Sequence, residues 1–171
     1  MASGLLVGRF QPFHLGHLAA AKFALTKVDP LFIAVGSAQK SHEPDNPFTA
    51  SERITMIKST LEEEGIDCRR WLLIPVPDTR VHSAWVDYLM TLVPRFDVVF
   101  SNDKLTLRLF RERATKVVEV PYLRREMYSA TQIRAEMIGG KAWRKKVPPA
   151  VARIIDELRG VERLRQIARE T

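Results

Sequence analysis

The stretch GRFQPFHLGH, residues 8–17, decides the fold prediction for this chain. It follows the apolar run Leu5–Val7 and precedes an alanine-rich stretch with helical spacing of its apolar residues. A short apolar run that ends at a glycine is typical of a buried strand. We therefore place residues 8–17 in the turn between a first strand and a first helix. Two histidines, an arginine, a proline and two glycines concentrate unusual chemistry in that turn.

The bulk composition describes a globular chain. With 171 residues and 46% apolar residues, it is long enough to bury a core. We expect a single domain over 1–171, with a Rossmann-like core at 1–140 and C-terminal helices at 141–171. No apolar run reaches the roughly 18 residues of a spanning helix, and the single Cys68 fits a reducing compartment. We expect no membrane partner, no signal peptide and a cytoplasmic location.

The net charge of +7 favours an anionic partner. Either a small nucleotide or a nucleic acid would satisfy it, while most single charges belong to a solvated surface. No helix-turn-helix, RNP or zinc-finger spacing is visible, so we predict no nucleic-acid partner. Among the basic segments, Arg124 and Arg125 are expected near bound phosphate, and 141–146 is expected to be a solvated connection.

Helices alternate with strands along the chain. Strands are predicted at 3–9, 31–36, 71–76, 97–101 and 116–120. Helices are predicted at 17–28, 49–64, 84–92, 104–113, from 129 onwards, at 151–159 and at 161–169, with a loop at 121–128. Because the strands are continuously apolar, they indicate a parallel sheet covered on both faces. The predicted fold is α/β, a doubly wound (Rossmann-like) five-stranded parallel sheet with helices on both faces and a C-terminal helical extension.

Three sequence signals set helix boundaries. The pattern TASE, in which Glu52 follows Thr49 by three residues, predicts a capping box. Ser129 is the expected N-cap of its helix. Gly160 is the expected break between the last two helices.

The turn at 8–17 is also the predicted ligand site, because doubly wound sheets bind ligands at the carboxyl ends of their strands. His14 and His17 lie three residues apart and share one face of a helical turn. With Arg9 and a helix N-terminus, they favour a phosphate group. Two alternatives stay open: a histidine that only caps the helix, and a metal site completed by His42 or His82. Neither a Walker loop nor GxGxxG is present.

Two motifs carry a family resemblance. GRFQPFHLGH resembles the GxFxPxHxGH signature of the nucleotidyltransferase superfamily, and Ser129–Arg134 (SATQIR) resembles its second motif. GSAQKSH at 36–42, NPFTASER at 46–53, the loop 78–85 and GVERL at 160–164 are similar to the archaeal nicotinamide-nucleotide adenylyltransferases. The resemblance implies that ATP and nicotinamide mononucleotide (NMN) react to NAD and pyrophosphate. It also implies Mg²⁺ carried by the ATP phosphates and a homo-oligomer, often a hexamer.

The resemblance further implies roles for individual residues. His14, His17 and Arg134 would be catalytic, and no protein side chain would be a metal ligand. We expect the helix N-terminus to lower the pKa of His17. Trp85 would stack on the nicotinamide and Asp78 would hold its carboxamide. The expected substrate-binding residues are Gly8, Arg9, Phe10, Gln11, Ser37, Gln39, Asp78, Trp85, Asn102, Ser129 and Thr131.

Two positions depart from the family pattern. Relatives often carry Asn where His82 stands, and SGN where this chain has Ser101–Asp103. An acidic Asp103 would be unusual beside anionic phosphate. These departures leave open the choice between NMN and its acid form, nicotinate mononucleotide. Other phosphate acceptors, such as phosphopantetheine, FMN or glycerol phosphate, and a non-catalytic nucleotide sensor are the remaining alternatives.

Overall fold

The computed structural model describes residues 1–124 and 127–171, so the predicted role of Arg125 and part of the predicted loop 121–128 lie outside it. The described residues form five strands and seven α-helices. The strands are β1 (Gly4–Gly8), β2 (Leu31–Val35), β3 (Trp71–Pro75), β4 (Val98–Ser101) and β5 (Lys116–Glu119). The helices are α1 (Leu15–Leu25), α2 (Ala50–Glu63), α3 (Trp85–Leu92), α4 (Lys104–Arg111), α5 (Ala130–Gly139), α6 (Pro149–Glu157) and α7 (Gly160–Glu170).

The strands form one parallel sheet in the order β3-β2-β1-β4-β5. Leu5 of β1 pairs with Phe32 of β2 on one side and with Val99 of β4 on the other. The chain winds outward from β1 in one direction, through β2 and β3, and then in the other, through β4 and β5. The predicted doubly wound fold is confirmed. Its topological switch point lies between β1 and β4, where such sheets bind ligands.

The described residues group into two compact units. The sheet unit comprises Met1–Arg9, Ala19–Ala38 and Asp67–Tyr122. The motif unit comprises Phe10–Leu18, Gln39–Ile66 and Leu123–Thr171. The single domain over 1–171, with a boundary near residue 140, stays a prediction.

The core of the sheet unit is apolar on strands and helices alike. Its buried cluster contains Leu5, Phe32, Ala34, Val76, Val86, Leu89, Val93, Val99, Leu109 and Phe110. These side chains come from β1, β2 and β4, from α3 and α4, and from the ends of β3 and α3. Burial explains the continuous apolar runs of the inner strands β1, β2 and β4, whereas the edge strands β3 and β5 are partly exposed. In the described parts of the chain, no helix combines the length and the apolar character needed to span a membrane.

Helix α2 begins at the predicted capping box. The Thr49 hydroxyl accepts the Glu52 N–H at 3.1 Å, and the Glu52 carboxylate accepts the Thr49 N–H at 2.9 Å. Two donors at the helix start are thereby satisfied by local side chains. The helix ends at Glu63, just before Gly65 adopts a left-handed φ of 72°.

The predicted break at Gly160 is wrong. Arg159 takes the left-handed backbone conformation, with φ of 54°, and Gly160 is the first residue of α7. A Cβ atom at Gly160 would lie 2.9 Å from Cε1 of Phe48 and 3.1 Å from Cγ2 of Ile155. The glycine is required because two side chains pack against its Cα, and the turn is made one residue earlier.

The prediction of a solvated connection over 141–146 holds only in part. Trp143 is buried, with 4% of its surface exposed. The Arg144 guanidinium lies over the Trp143 ring at 4.6 Å, and Lys146 forms an ion pair with Glu136. Burial of the Trp143 indole removes apolar surface from water. The basic residues on either side of Trp143 led the sequence analysis to predict an exposed segment instead.

Candidate active site

The two histidines cap the helix that follows β1. The Nδ1 atom of His14 accepts the N–H groups of Gly16 at 3.1 Å and of His17 at 3.3 Å. In return, the N–H of His14 donates to Nδ1 of His17 at 3.1 Å. This reciprocal arrangement resembles a capping box built from imidazoles. It explains why α1 begins at Leu15 and not at the predicted residue 17.

The cap also determines where each imidazole carries its proton. A backbone N–H can only donate, so each Nδ1 atom that accepts one is unprotonated. The two neutral rings therefore carry their protons on Nε2. The rings of His14 and His17 stack with centroids 3.5 Å apart. Both Nε2–H groups remain as donors outside the cap.

Burial keeps both histidines neutral. It lowers the pKa of His14 to about 4. The pKa of His17 is also lowered well below its usual value, first by burial and then by the charge that His14 would carry. The predicted direction for His17 is confirmed, but the main cause is loss of water and not the helix terminus. Near pH 7 the two rings are neutral hydrogen-bond donors.

The glycine between the histidines is needed for this packing. A Cβ atom on Gly16 would lie 2.9 Å from Cε1 of His14 and 3.3 Å from Cβ of Tyr128. On the other side, the His17 ring meets the edge of Phe10, with centroids 4.9 Å apart, and stacks at 5.6 Å on Phe13. The buried Phe10 side chain thus supports His17, and its predicted contact with substrate stays a prediction.

The Gln11 side chain joins the histidine loop to the backbone of Phe48. Its amide group donates through Nε2 to the Phe48 carbonyl at 2.9 Å and accepts the Phe48 N–H through Oε1 at 3.0 Å. The Gln11 side chain is 2% exposed, so it is engaged in the interior of the motif unit. Its predicted role in substrate binding also stays a prediction.

Arg134, from the second motif, lies against the same loop. It is 6% exposed and donates to the Gln11 carbonyl at 2.9 Å. It also donates to Thr131 Oγ1 at 3.4 Å and to Asp45 Oδ1 at 3.3 Å. Sequence reasoning missed Asp45, because a single carboxylate in an irregular loop carries no periodic signal. The structure thus brings the two motifs together around one guanidinium.

Helix α5 starts at the predicted N-cap residue, but its side chain behaves differently from expectation. Ser129 has extended backbone angles, with φ of −122° and ψ of 129°, and its hydroxyl makes no capping hydrogen bond. Thr131 is exposed in the first turn. Tyr128, one residue before the cap, is the residue that faces Gly16. The start of α5 therefore lies beside the start of α1 within the motif unit.

A second group of predicted residues lies in the sheet unit, at the ends of β1 and β2. The Gly8 carbonyl accepts the Gly36 N–H at 2.8 Å. Ser37 is buried, has a positive φ of 46°, and donates its hydroxyl to Asp78 Oδ1 at 3.1 Å. A residue other than glycine in this strained region is often part of a functional site. Two predicted substrate-binding residues, Ser37 and Asp78, are thereby in direct contact.

The remaining predicted substrate-binding residues differ in how far they are exposed to solvent. Trp85 is half-buried at the first position of α3, and its ring meets the edge of Phe110 with centroids 6.4 Å apart. The Asn102 carbonyl accepts the Tyr122 hydroxyl at 3.0 Å. Arg9 is exposed at the end of β1, and Gln39 is exposed in the motif unit.

The unusual Asp103 has a local explanation. It is the N-cap of α4 and accepts the Thr106 N–H at 2.8 Å and the Thr106 hydroxyl at 2.7 Å. Aspartate is among the favoured capping residues. The departure from the family pattern at this position therefore starts a helix.

Metal binding depends on the donors available. Within residues 1–124 and 127–171, no three His, Cys, Asp or Glu side chains lie close enough together to hold a metal ion. The alternative of His14 and His17 in a three-ligand metal site therefore has no such group to support it.

Comparisons with known proteins show the family of this chain. Residues 5–136 match the family described as cytidylyltransferase-like. A nicotinamide-nucleotide adenylyltransferase of Pyrococcus horikoshii is 48% identical over 168 residues, which cover 98% of this chain and 90% of the relative. One from Ignicoccus hospitalis is 49% identical over 166 residues, which cover 96% and 97% respectively.

Solved structures show the same fold. A bifunctional NMN adenylyltransferase/ADP ribose pyrophosphatase from Francisella tularensis, complexed with AMP and a manganese ion, superposes with a TM-score of 0.81 at 23% identity. The match covers 97% of this chain and 52% of that one, so the chain spans about half the length of the bifunctional protein. The family profile and the close relatives agree: this chain belongs to the cytidylyltransferase-like nucleotidyltransferases and, among them, to the nicotinamide-nucleotide adenylyltransferases.

Proposed function

We propose that this chain transfers the adenylyl group of ATP to NMN, giving NAD and pyrophosphate, and that the phosphates react at the motif unit. The observation that carries the proposal is the histidine cap, which leaves two neutral Nε2–H donors in the same loop whose Gln11 carbonyl receives the buried Arg134. Relatives of the nicotinamide-nucleotide adenylyltransferase family at 48% and 49% identity support the choice of reaction.

The reaction needs little covalent help from the protein. A phosphate oxygen of NMN attacks the α-phosphorus of ATP in line and forms the new P–O bond. The bond from the α-phosphorus to the bridging oxygen breaks, and pyrophosphate leaves with the electron pair. A phosphate nucleophile is already ionised near pH 7, so no general base is required. Positioning and stabilisation of the developing negative charge therefore determine the rate.

His14, His17 and Arg134 divide that task. The two imidazoles donate their Nε2–H groups to the α- and β-phosphates as neutral donors. Arg134 supplies a fixed positive charge and forked donors, which suit phosphate oxygens better than a lysine would. Because its guanidinium is already hydrogen-bonded to Gln11 and Thr131, it loses little freedom when phosphate binds.

The start of α5 completes the ATP site. Its free backbone N–H groups and the hydroxyls of Ser129 and Thr131 contact the β- and γ-phosphates. The predicted contact of Gly8 and Arg9 with the nucleotide stays a prediction. Mg²⁺ enters as part of the ATP substrate and neutralises phosphate charge.

NMN is held through its base. Trp85 stacks on the cationic nicotinamide ring, and Asp78 accepts the carboxamide N–H. A carboxylate at Asp78 repels the acid group of nicotinate mononucleotide, so NMN is the preferred substrate. Ser37 orients Asp78 through their hydrogen bond. The predicted nucleotide contacts of Gln39 and Asn102 stay predictions.

Pyrophosphate release tests the proposal directly. The purified chain is supplied with ATP and Mg²⁺ and with either NMN or nicotinate mononucleotide. We expect faster release with NMN, and Asp78→Asn narrows the preference because it removes the repelling charge. Turnover only with the acid form would reverse the role assigned to Asp78. The absence of release with both would contradict the reaction itself and direct attention to other phosphate acceptors.

Assembly and location are part of the proposal. We infer a homo-oligomer, with a hexamer as the arrangement that the family resemblance implies. The exposed thiol of Cys68 suits a reducing compartment and supports a cytoplasmic location.

A further inference from the structure

We infer that Arg163, on the last helix, is a positioning residue for the phosphate site, an inference that rests on the proposed function. Arg163 belongs to the GVERL segment at 160–164, to which the proposed reaction assigns no task. It holds the segment 46–49, and that segment holds the loop that carries the catalytic histidines. Helix α7 thereby becomes a part of the active-site scaffold.

Arg163 makes a forked contact at the start of α2. Its two terminal nitrogens donate to the two carboxylate oxygens of Glu52 at 2.7 and 2.8 Å, and Nη1 also donates to the Pro47 carbonyl at 3.1 Å. Only 20% of the Arg163 side chain and 16% of the Glu52 side chain are exposed. Partial burial and bidentate geometry are the conditions under which an ion pair holds its partners in place.

Glu52 passes this constraint to the neighbouring backbone. The same carboxylate accepts the Thr49 N–H in the capping box. Arg163 therefore binds the chain on both sides of Phe48, at Pro47 and, through Glu52, at Thr49. The Phe48 ring fits against Gly160 of the same helix, where a Cβ atom would lie 2.9 Å away.

The constraint continues from Phe48 to the catalytic loop. The backbone of Phe48 is bound at both its N–H and its carbonyl by the Gln11 side chain. The Gln11 carbonyl receives Arg134, and His14 follows Gln11 by three residues. Each hydrogen bond in this path, from Phe48 to Arg134, is buried. A shift of segment 46–49 would therefore displace both the histidine loop and the arginine.

The chain offers a matched control for this contact. Arg153 on α6 forms an ion pair with Glu63, at the opposite end of α2 from Glu52. Both pairs join a C-terminal helix to α2, but Arg153 and Glu63 are about half exposed and are remote from residues 46–49 in sequence. Arg163→Met and Arg153→Met thus remove the same kind of link at two places.

Steady-state kinetics separate positioning from general destabilisation. We expect Arg163→Met to lower kcat/KM for ATP by about 10- to 100-fold, since a small displacement of positioned groups has effects of this size. The KM for NMN should stay within about twofold of the wild-type value, because the proposed NMN contacts lie in the sheet unit. Arg153→Met should leave both parameters unchanged. Arg163→Lys should recover part of the loss, since it keeps the charge but not the fork.

Hydrogen exchange gives a second readout that does not need turnover. In Arg163→Met, the Phe48 amide should exchange faster than in the wild type and in Arg153→Met, because its acceptor Gln11 is no longer held in register. Equal exchange and equal kinetics for the two methionine variants would overturn the inference. If Arg163→Met does not fold, the same comparison with Arg163→Lys decides. Absence of turnover in the wild type would contradict the proposed reaction, while the exchange comparison would still test the positioning role.

Discussion

The starts of α1 and α5 lie side by side in the motif unit, yet they differ in how side chains cap their backbone N–H groups. At α1, the His14 ring accepts the backbone N–H groups of Gly16 and His17, and the His14 backbone N–H donates to the His17 ring. At α5, the Ser129 hydroxyl makes no capping hydrogen bond. One helix start presents side-chain donors, and the other presents backbone N–H groups and a hydroxyl that makes no capping bond.

This difference separates two ways to bind an anion. Imidazoles locked by a cap are rigid donors whose proton position is fixed, which suits the phosphorus that changes its bonds. Bare backbone N–H groups at a helix start attract phosphate without a particular geometry, which suits the leaving pyrophosphate. We therefore propose that the start of α1 serves the chemical step and the start of α5 serves phosphate binding. Four measurements test this division of roles between the two helix starts.

The largest effect is expected at the α1 start. His17→Ala removes one positioned donor and should lower kcat by about 10²- to 10³-fold, the usual effect of losing such a group. Pyrophosphate release with NMN measures it. His42→Ala is the control, because this exposed histidine would matter only in the metal-site alternative. A small effect of His17→Ala would move the chemical step away from α1.

The buried cap also makes stability depend on pH. Below pH 6.5 the unfolded chain protonates His14, while the folded chain holds its pKa at about 4. The unfolded state therefore binds more protons in this window, and the free energy of unfolding falls as the pH falls from 6.5 to 4, by up to about 3 kcal/mol. Denaturant titrations at several pH values measure the slope.

A non-titrating variant isolates the histidine's share of that slope. In His14→Asn, asparagine can still cap the helix but carries no proton. The slope between pH 6.5 and 4 should be smaller than in the wild type. Identical slopes in the two proteins would show that the His14 pKa is not lowered by folding.

Alanine variants of two N-cap residues, Thr49 of α2 and Ser129 of α5, test the role proposed for the start of α5. Thr49→Ala removes a cap that is made and should cost about 1 kcal/mol of unfolding free energy. Ser129→Ala should leave the unfolding free energy near the wild-type value, since no cap bond is lost. Ser129→Ala should instead lower kcat/KM for ATP by about tenfold, which is the effect of losing one hydrogen bond to a charged group. Equal destabilisation by both variants would make Ser129 an ordinary cap.

The smallest effect is expected at Asp45. Its carboxylate is paired with Arg134 but is 77% exposed, so the pair is weak. Asp45→Asn removes a negative charge beside the proposed triphosphate site and should lower the KM for ATP by about two- to fivefold. Glu43→Gln, on the same loop, controls for the change of net charge. A raised KM in Asp45→Asn would instead give Asp45 a supporting role for Arg134.

Local patterns predicted most of the fold. Each predicted strand appears within about two residues of its observed bounds, because buried parallel strands are short apolar runs between turn residues. The capping box at Thr49 was predictable because all its atoms lie within four residues. The α1 start was misplaced by two residues, since histidine is not among the usual capping residues that a sequence pattern identifies.

The order of strands and helices, the family and the residues of the two motifs could be predicted from the sequence, since each depends on neighbours along the chain. What holds those residues in place depends on the tertiary structure. Gln11 meets Phe48 across 37 positions, Arg134 meets Asp45 across 89, and Arg163 meets Glu52 across 111. Such contacts leave no periodic trace, because they depend on where the folded sheet and helices bring distant segments. The same packing buried the two histidines and set their pKa values, which depend on the loss of water and not on the order of residues.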